Sequence, residues 1–308
     1  MRFGAAFWVT RTTWPAVRDA CVLAERSGWD SVWIDDHLLA DEGDWTDPKL
    51  EGWATLAAVA ALTERVQVGL LVAANTFRNP GLTAKLATTL DQISGGRAVL
   101  GIGAGWFDRE HDAFGLDFGS GFGERLDRLD EAIGLIRRLL AGERVTHDGR
   151  FYRLLDAVCA PLPVQARLPI LIGGMGPKKT LPMIARHADM WNGKGTPDEL
   201  AAAAAILRAR CAEIGRDPAE IERSVFQNVV VRDTRAAAGD AWEGYRARHG
   251  PHPGEDEAEL LGPPDEVAAQ LREYEAVGID HAIWVFRDPF DAETISRLGD
   301  VRAALGVA

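Results

Sequence analysis

The chain is 308 residues long, 47% hydrophobic and 26% charged, and carries a formal net charge of -12. Its length suits one large α/β domain or two ordinary ones, no apolar run is long enough to span a bilayer, and its acidity excludes general nucleic-acid binding, which needs a basic footprint. Cys21, Cys159 and Cys211 are too scattered for a disulfide frame and fit a reducing cytoplasm.

At the N-terminus no basic segment leads into an apolar one and a cleavage site, so export is not expected and the chain is read as cytoplasmic. Phe3–Val9 is an apolar, aromatic strand. Thr12 or Thr13 caps a helix that Pro15 starts, with Val17, Ala20, Cys21 and Ala24 on one stripe, ending near Gly28. Asp30–Ile34 is a short strand, Glu51–Thr63 a helix and Val66–Val72 a strand. Asn79 caps a helix that Pro80 starts and that runs to about Ile93; Ala98–Ile102 is the next strand. Phe122–Leu140 is a long amphipathic helix with Leu126, Leu129, Ile133, Ile136 and Leu140 inward. Ile170–Ile172 and Met190–Trp191 are strands around a helix from Pro177 to His187. Glu199–Ile214 is helical, Val225–Val231 a strand, Asp265–Ala276 a helix, Ala282–Phe286 a strand and Ala292–Leu305 the last helix.

The strands are short and apolar with few alternating polar positions, as strands covered on both faces are. Strand-helix alternation repeated along the whole chain predicts an α/β fold, a (β/α)8 TIM barrel over residues 1–308 as one domain, rather than a doubly wound sheet. Three connections are long: Leu38–Leu50, Gly142–Pro169 and Arg232–Pro264, the last with a Gly/Pro/His stretch from His249 to Gly254. Each is a candidate lid at the C-terminal face.

In a barrel the residues just past strand ends face the active site. That rule collects Asp35, Asp36 and His37, then Ala73, Ala74, Asn75 and Thr76. It goes on to Gly103, Ala104, Gly105 and Trp106, to Gly173, Gly174, Met175 and Gly176, and to Asn192, Gly193 and Lys194. Gly103 and Gly105 let backbone approach a flat ligand, and Trp106 offers an aromatic wall; a tightly packed βα turn uses the same residues. The spacing is not the dinucleotide fingerprint. His37 beside Asp36 can give a proton or bond a ligand, or be a loop histidine held by a carboxylate. Gly173–Thr180 is a glycine-rich turn opening a helix, with Pro177 at its first position, and suits a phosphate; a solvated helix start reads the same way. The seven histidines show no H-x-x-x-H pair and no cysteines complete a zinc set, so no metal is expected. Walker A and GxSxG motifs are absent, and no serine or cysteine has an evident base, which points to cofactor-borne chemistry.

These residues resemble the bacterial luciferase-like monooxygenase superfamily, and within it the coenzyme F420-dependent oxidoreductases. The resemblance rests on Ala24–Trp33, Asp36-His37-Leu38, Asn75–Pro80, Thr89–Phe107, Gly123–Leu129, Ile172–Gly176, Ala188–Asn192, Gly262–Val267 and Gly278–His281, and so covers nearly the whole chain. Met190 stands where the family usually has glycine. The resemblance implies a deazaflavin ring against Asp36 and His37, backed by a bulge at Leu71, Val72, Ala73 and Ala74 with a non-prolyl cis peptide. It places Ala104 and Gly105 at the ring edge and Gly174, Met175, Gly176 and Thr180 on the phosphate, with Trp106, Gly173 and Asn192 as further cofactor-binding residues. Catalysis would fall to His37 and Asp36, in hydride transfer between C5 of F420 and a small organic substrate. Glu51 and Trp53 are further pocket candidates, and Lys178, Lys179 or Lys194 could meet the anionic tail of F420. A homodimer is expected from the family.

Two alternatives stay open: an FMN-dependent monooxygenase using reduced flavin and oxygen, and a flavin or deazaflavin carrier without catalysis. A sugar-phosphate enzyme would also use the glycine-rich turn, but its carboxylate or lysine pair is not found at the strand ends.

Overall fold

Eight parallel strands close on themselves, as the alternation predicts. The computed structural model describes residues 1–249 and 259–306. In chain order the strands are β1 (Arg2–Trp8), β2 (Ser31–Ile34), β3 (Gln67–Leu70), β4 (Ala73–Ala74), β5 (Ala98–Gly103), β6 (Val145–Asp148), β7 (Arg153–Ala157), β8 (Ile170–Gly173), β9 (Met190–Gly193), β10 (Glu222–Val231), β11 (Glu259–Gly262) and β12 (His281–Arg287). The barrel order is β1-β2-β3-β5-β8-β9-β10-β12, and β12 returns to β1 with Arg2 opposite His281 and Trp8 opposite Arg287. The helices are α1 (Trp14–Arg26), α2 (Gly52–Leu62), α3 (Pro80–Ser94), α4 (Asp108–Phe114), α5 (Phe122–Leu140), α6 (Thr180–His187), α7 (Pro197–Glu213), α8 (Arg235–His249), α9 (Pro264–Ala276), α10 (Ala292–Ser296) and α11 (Leu298–Leu305). Among the described residues no helix is long and apolar enough to cross a membrane.

Side chains alternate across each barrel strand. From β1, Phe3, Ala5 and Phe7 join the large outer core, whereas Ala6 joins an inner cluster of Trp33, Leu71, Val99, Leu171, Met190, Ile283 and Val285. Met190 is therefore barrel filling. Below it the barrel is plugged by polar groups. Trp33 Nε1 donates to Ser31 Oγ (2.8 Å), which lies 3.0 Å from His281 Nε2, and His281 Nδ1 lies 2.8 Å from Glu222. Among the described residues these groups close the bottom of the barrel.

Several expectations change in the structure. The strand expected over Val66–Val72 stops at Leu70; the Leu71–Val72 peptide is cis, and pairing with β5 resumes at Ala73 and Ala74. The helix expected from Pro177 begins at Thr180. The reason is Pro182: in a helix starting at Pro177 it would stand in the interior, whereas from Thr180 it falls in the first turn, where no N–H is needed. The single last helix breaks at Arg297, whose φ of -87° and ψ of 8° lie off the helical basin. Gly142–Pro169 is not a lid. It forms the β6–β7 hairpin and a strap on α3, where Asp91 accepts the Val164 N–H (2.7 Å) and Gln92 donates to Leu162 (2.8 Å). None of its residues lines the mouth. Arg232–Pro264 contains α8 and β11, and the expected lid residues 250–258 lie outside the described residues.

Candidate active site

A cavity of about 840 Å³ opens at the C-terminal ends of the strands, within the range of roughly 300–1,000 Å³ typical of small-molecule sites. Asp36, His37, Leu71, Val72, Ala73, Ala74, Gly105, Trp106, Gly173, Gly174, Met175 and Asn192 line it; Ala104, Gly176 and Thr180 do not. Thr180 is buried beneath the turn, where a Cβ on Gly176 would lie 2.8 Å from its Oγ1.

Asp36 follows β2 and turns inward under the β3 break. Its Oδ2 accepts the Ala74 N–H at 3.0 Å, replacing a ladder bond the break removes, and both its oxygens take Arg78 at 2.6 and 2.9 Å. Burial pushes this carboxyl up, against the pull of Arg78 and the Ala74 amide. Arg78 is also held by Glu51 at 2.9 Å, and Glu51 caps α2 through the Ala54 N–H at 2.6 Å. Glu51 and Trp53 do not line the cavity. Asp36 thus anchors the bulge that forms the cavity floor.

His37 is held from two sides. Nδ1 lies 3.1 Å from Glu110 Oε1, and Nε2 lies 3.5 Å from Asp41 Oδ2. Burial opposes the imidazolium, but Glu110 and Asp41 outweigh it, and His37 titrates above the ordinary histidine range. Lys49 continues the network, donating to Thr10 Oγ1 (2.8 Å), to Asp41 (3.4 Å) and to Asp35. Asp35 also accepts the Val9 N–H at 2.9 Å, which ties this network to the backbone just past β1.

The glycines after β5 serve the protein first. A Cβ on Gly103 would lie 2.8 Å from Val72 Cγ2, and one on Gly105 (φ +78°) 2.6 Å from Thr76 Oγ1. They make room for the bulge and for the turn that His111 fixes, with its Nε2 2.6 Å from Thr76 and its Nδ1 2.7 Å from Phe107 O. Trp106 stays 57% exposed at the rim, edge-on to His37 at 5.5 Å. On the far wall, Gly174 (φ +118°) donates its N–H to Asn192 O at 2.9 Å and accepts Trp191 Nε1 at 2.8 Å. Lys179 is drawn away to α5, 2.6 Å from Asp127.

Sequence reasoning passed over Glu110, Asp41, Lys49, Arg78 and the buried pair Arg287–Glu42, whose atoms meet at 2.6 Å. Glu110 had a signal: an acidic residue on the short helix that begins directly after the glycine turn. Among the described residues no group of His, Cys, Asp or Glu could hold a metal ion. An apolar floor at Leu71–Ala74, bare backbone at Gly173 and Gly174, and an aromatic rim fit a planar ring system.

Fold and site define a (β/α)8-barrel protein with a ligand cavity in its C-terminal mouth. The chain belongs to the luciferase-like monooxygenase family, whose profile matches residues 2–258. It is 43% identical over 166 residues to an F420-dependent glucose-6-phosphate dehydrogenase of Microbacterium testaceum, covering 53% of this chain and 47% of that one. It is 31% identical over 225 residues to the F420-dependent hydroxymycolic acid dehydrogenase of Mycobacterium tuberculosis, covering 71% and 60%. The chain thus spans about half to three fifths of these curated relatives. An F420-dependent secondary alcohol dehydrogenase, solved with an F420-acetone adduct, shares the fold with a TM-score of 0.86 at 22% identity, covering 99% of this chain and 98% of that one.

Proposed function

We propose that this protein is an F420-dependent oxidoreductase that moves a hydride between C5 of the deazaflavin and a hydroxyl- or carbonyl-bearing small molecule. The observation that carries the reading is His37, partly buried between the buried carboxylates of Glu110 and Asp41 and facing the same cavity as the apolar floor Leu71–Ala74. The relatives' names supply the cofactor class. The bound deazaflavin would supply or accept the hydride. The chain's residues do the rest. Leu71–Ala74 and the Gly173–Gly174 backbone hold the ring, Trp106 limits water at the rim, and the His37–Glu110 pair holds the proton that an alcohol loses or a carbonyl gains.

The same reading makes the protein a cytoplasmic homodimer. Val158, Leu162 and Val164 stand exposed on the strap over α3, an apolar face suited to a second copy. Light scattering should give twice the chain mass, and Leu162→Lys with Val164→Lys should halve it.

Fluorescence titration with F420 and, in parallel, FMN tests the cofactor. Tighter F420 binding supports the proposal. Preference for FMN moves the protein to oxygen-dependent monooxygenation, and binding of neither removes the account of the site.

A further inference from the structure

The wall of the mouth divides by strand. The proposed function uses His37 after β2, Leu71–Ala74 at the β3 break, Trp106 after β5 and Gly173 and Gly174 at the end of β8. Left over is a sector from β10, β12 and β1, which are neighbours in the barrel. It presents Trp8, Phe226, Asn228, Val285 and Arg287 to the cavity. Trp8, Phe226 and Val285 also pack on the inner apolar cluster, so this sector suits the apolar body of a ligand.

Arg287 is the charge of that sector, and Glu42 cancels it. Arg287 Nε lies 2.6 and 2.7 Å from the two Glu42 oxygens, and each side chain is 5% exposed. Its Nη1 donates to Tyr245 Oη and, at 3.4 Å, to Asn228 Oδ1. Glu42 comes from the segment after β2 and does not itself line the mouth, so it acts on a ligand through Arg287. The rest of the wall adds no excess of positive charge. Besides His37, its cations among the described residues are Lys194 and Arg287, against Asp35, Asp36, Asp41, Glu110 and Glu199. Asp35 and Asp41 share Lys49, Asp36 takes Arg78 and Glu110 takes His37. An anion entering here would lose its hydration without gaining a counter-charge. A neutral oxygen fares better: Asn228 gives its carbonyl oxygen to Arg287, and its amide nitrogen makes no hydrogen bond among the described residues.

We infer that Glu42 is a specificity-determining residue: by neutralising Arg287 it makes the β10–β12–β1 sector a site for an uncharged substrate with an apolar body, and it turns anionic substrates away. The apolar body lies against Trp8 and Phe226, and a neutral oxygen meets the Asn228 amide. That this occupant is the hydride partner rests on the F420 reading; the selection against anions rests on the sector alone.

Ethyl 4-oxocyclohexanecarboxylate and the free 4-oxocyclohexanecarboxylate are the probes: they share ring and ketone, and only the second is an anion. The protein is labelled with 5-fluorotryptophan, and Trp8→Phe assigns one of the ten tryptophan lines. The ester should move the Trp8 fluorine line saturably, with a dissociation constant of roughly 0.1–10 mM, as suits a small ligand. The carboxylate should bind at least about tenfold more weakly. Glu42→Gln uncovers the Arg287 charge and should tighten the carboxylate at least about tenfold relative to the ester. If that variant does not fold, Glu42→Gln with Arg287→Met takes its place: with both charges gone, the parent's preference for the ester should stay within about threefold, and a shift of about tenfold or more would show that Glu42 does not neutralise Arg287. A Trp8 line that moves with neither probe, equal binding of the two in the parent, or an unchanged ratio in folded Glu42→Gln overturns the inference. F420 failing to bind while the ester moves Trp8 would remove the proposed function and leave the selection standing; F420 binding beside equal affinity for the two probes would do the reverse.

Discussion

Glu110 Oε1 lies 3.1 Å from Nδ1 of His37, and Glu110 Oε2 accepts the backbone N–H of Leu38 at 2.9 Å. One carboxylate from α4 thereby fixes both the ring and the loop that follows β2. Glu110→Gln keeps the shape and removes the charge. Turnover should fall roughly 10- to 100-fold, the lower part of the range for acid-base groups, with F420 affinity changed little. Comparing single-turnover rates with cofactor titrations checks this; an unchanged rate would detach Glu110 from the chemistry.

Arg78 is the counter-charge that lets Asp36 stay buried beneath the cavity floor. Removing one partner of a buried pair costs about 3–5 kcal/mol, because the other charge remains without compensation. Arg78→Met should lose stability on that scale. Asp36→Asn in the same chain should recover part of it, since the uncompensated charge is then gone. Urea unfolding of the three variants measures both effects. Equal stability of Arg78→Met and the parent would mean that the bulge does not depend on this pair.

Val72 is nested against glycine. A Cβ would lie 2.8 Å from its Cγ2 if added at Gly103, and 3.4 Å from its Cγ1 if added at Gly101. Gly103→Ala should cost about 1–3 kcal/mol, the usual range for overpacking, and weaken the mouth's ligand by displacing the floor. Val72→Ala should rescue it by removing the methyl that clashes. Melting curves and F420 titrations on the single and double variants give the answer, and failure of the rescue would assign these glycines to the ligand instead.

That same contact shows where sequence reading stopped. The barrel was legible because apolar runs, caps and turn glycines are local signals, and Thr13, Asn79 and Pro80 act where the sequence puts them. The strand-end rule also found most of the cavity wall. What it could not give was the partner of each side chain. Gly103 reads as room for a ligand, yet the neighbour it makes room for, Val72, comes from the break between β3 and β4. Asp36 reads as catalytic beside His37, yet its bonds go to Arg78 and Ala74. Lys49 and Asp41, from the segment after β2, and Glu110, from α4, converge on Asp35 and His37, and the closed barrel brings them together.

Asp41 gives the sharpest test, because it acts on His37 from the side opposite Glu110. Its carboxylate, 3.5 Å from Nε2, is held ionised: burial raises it, and His37 and Lys49 lower it further than burial raises it. With Glu110 it keeps the His37 proton on above the unfolded value of about 6.5. A raised folded value means stability that is fully present below the unfolded value and is lost as pH rises through the folded one. Asp41→Asn removes one of the two charges, so that loss should move to lower pH. In the parent, ¹⁵N spectra of His37 should show both ring nitrogens protonated beyond the ordinary histidine range, and in Asp41→Asn the transition should come at lower pH. Lys49 opposes the imidazolium from behind Asp41, so the fall is bounded by Glu110, which stays in place. A His37 transition that does not move, or that moves upward, would show that Glu110 alone sets the charge of the ring.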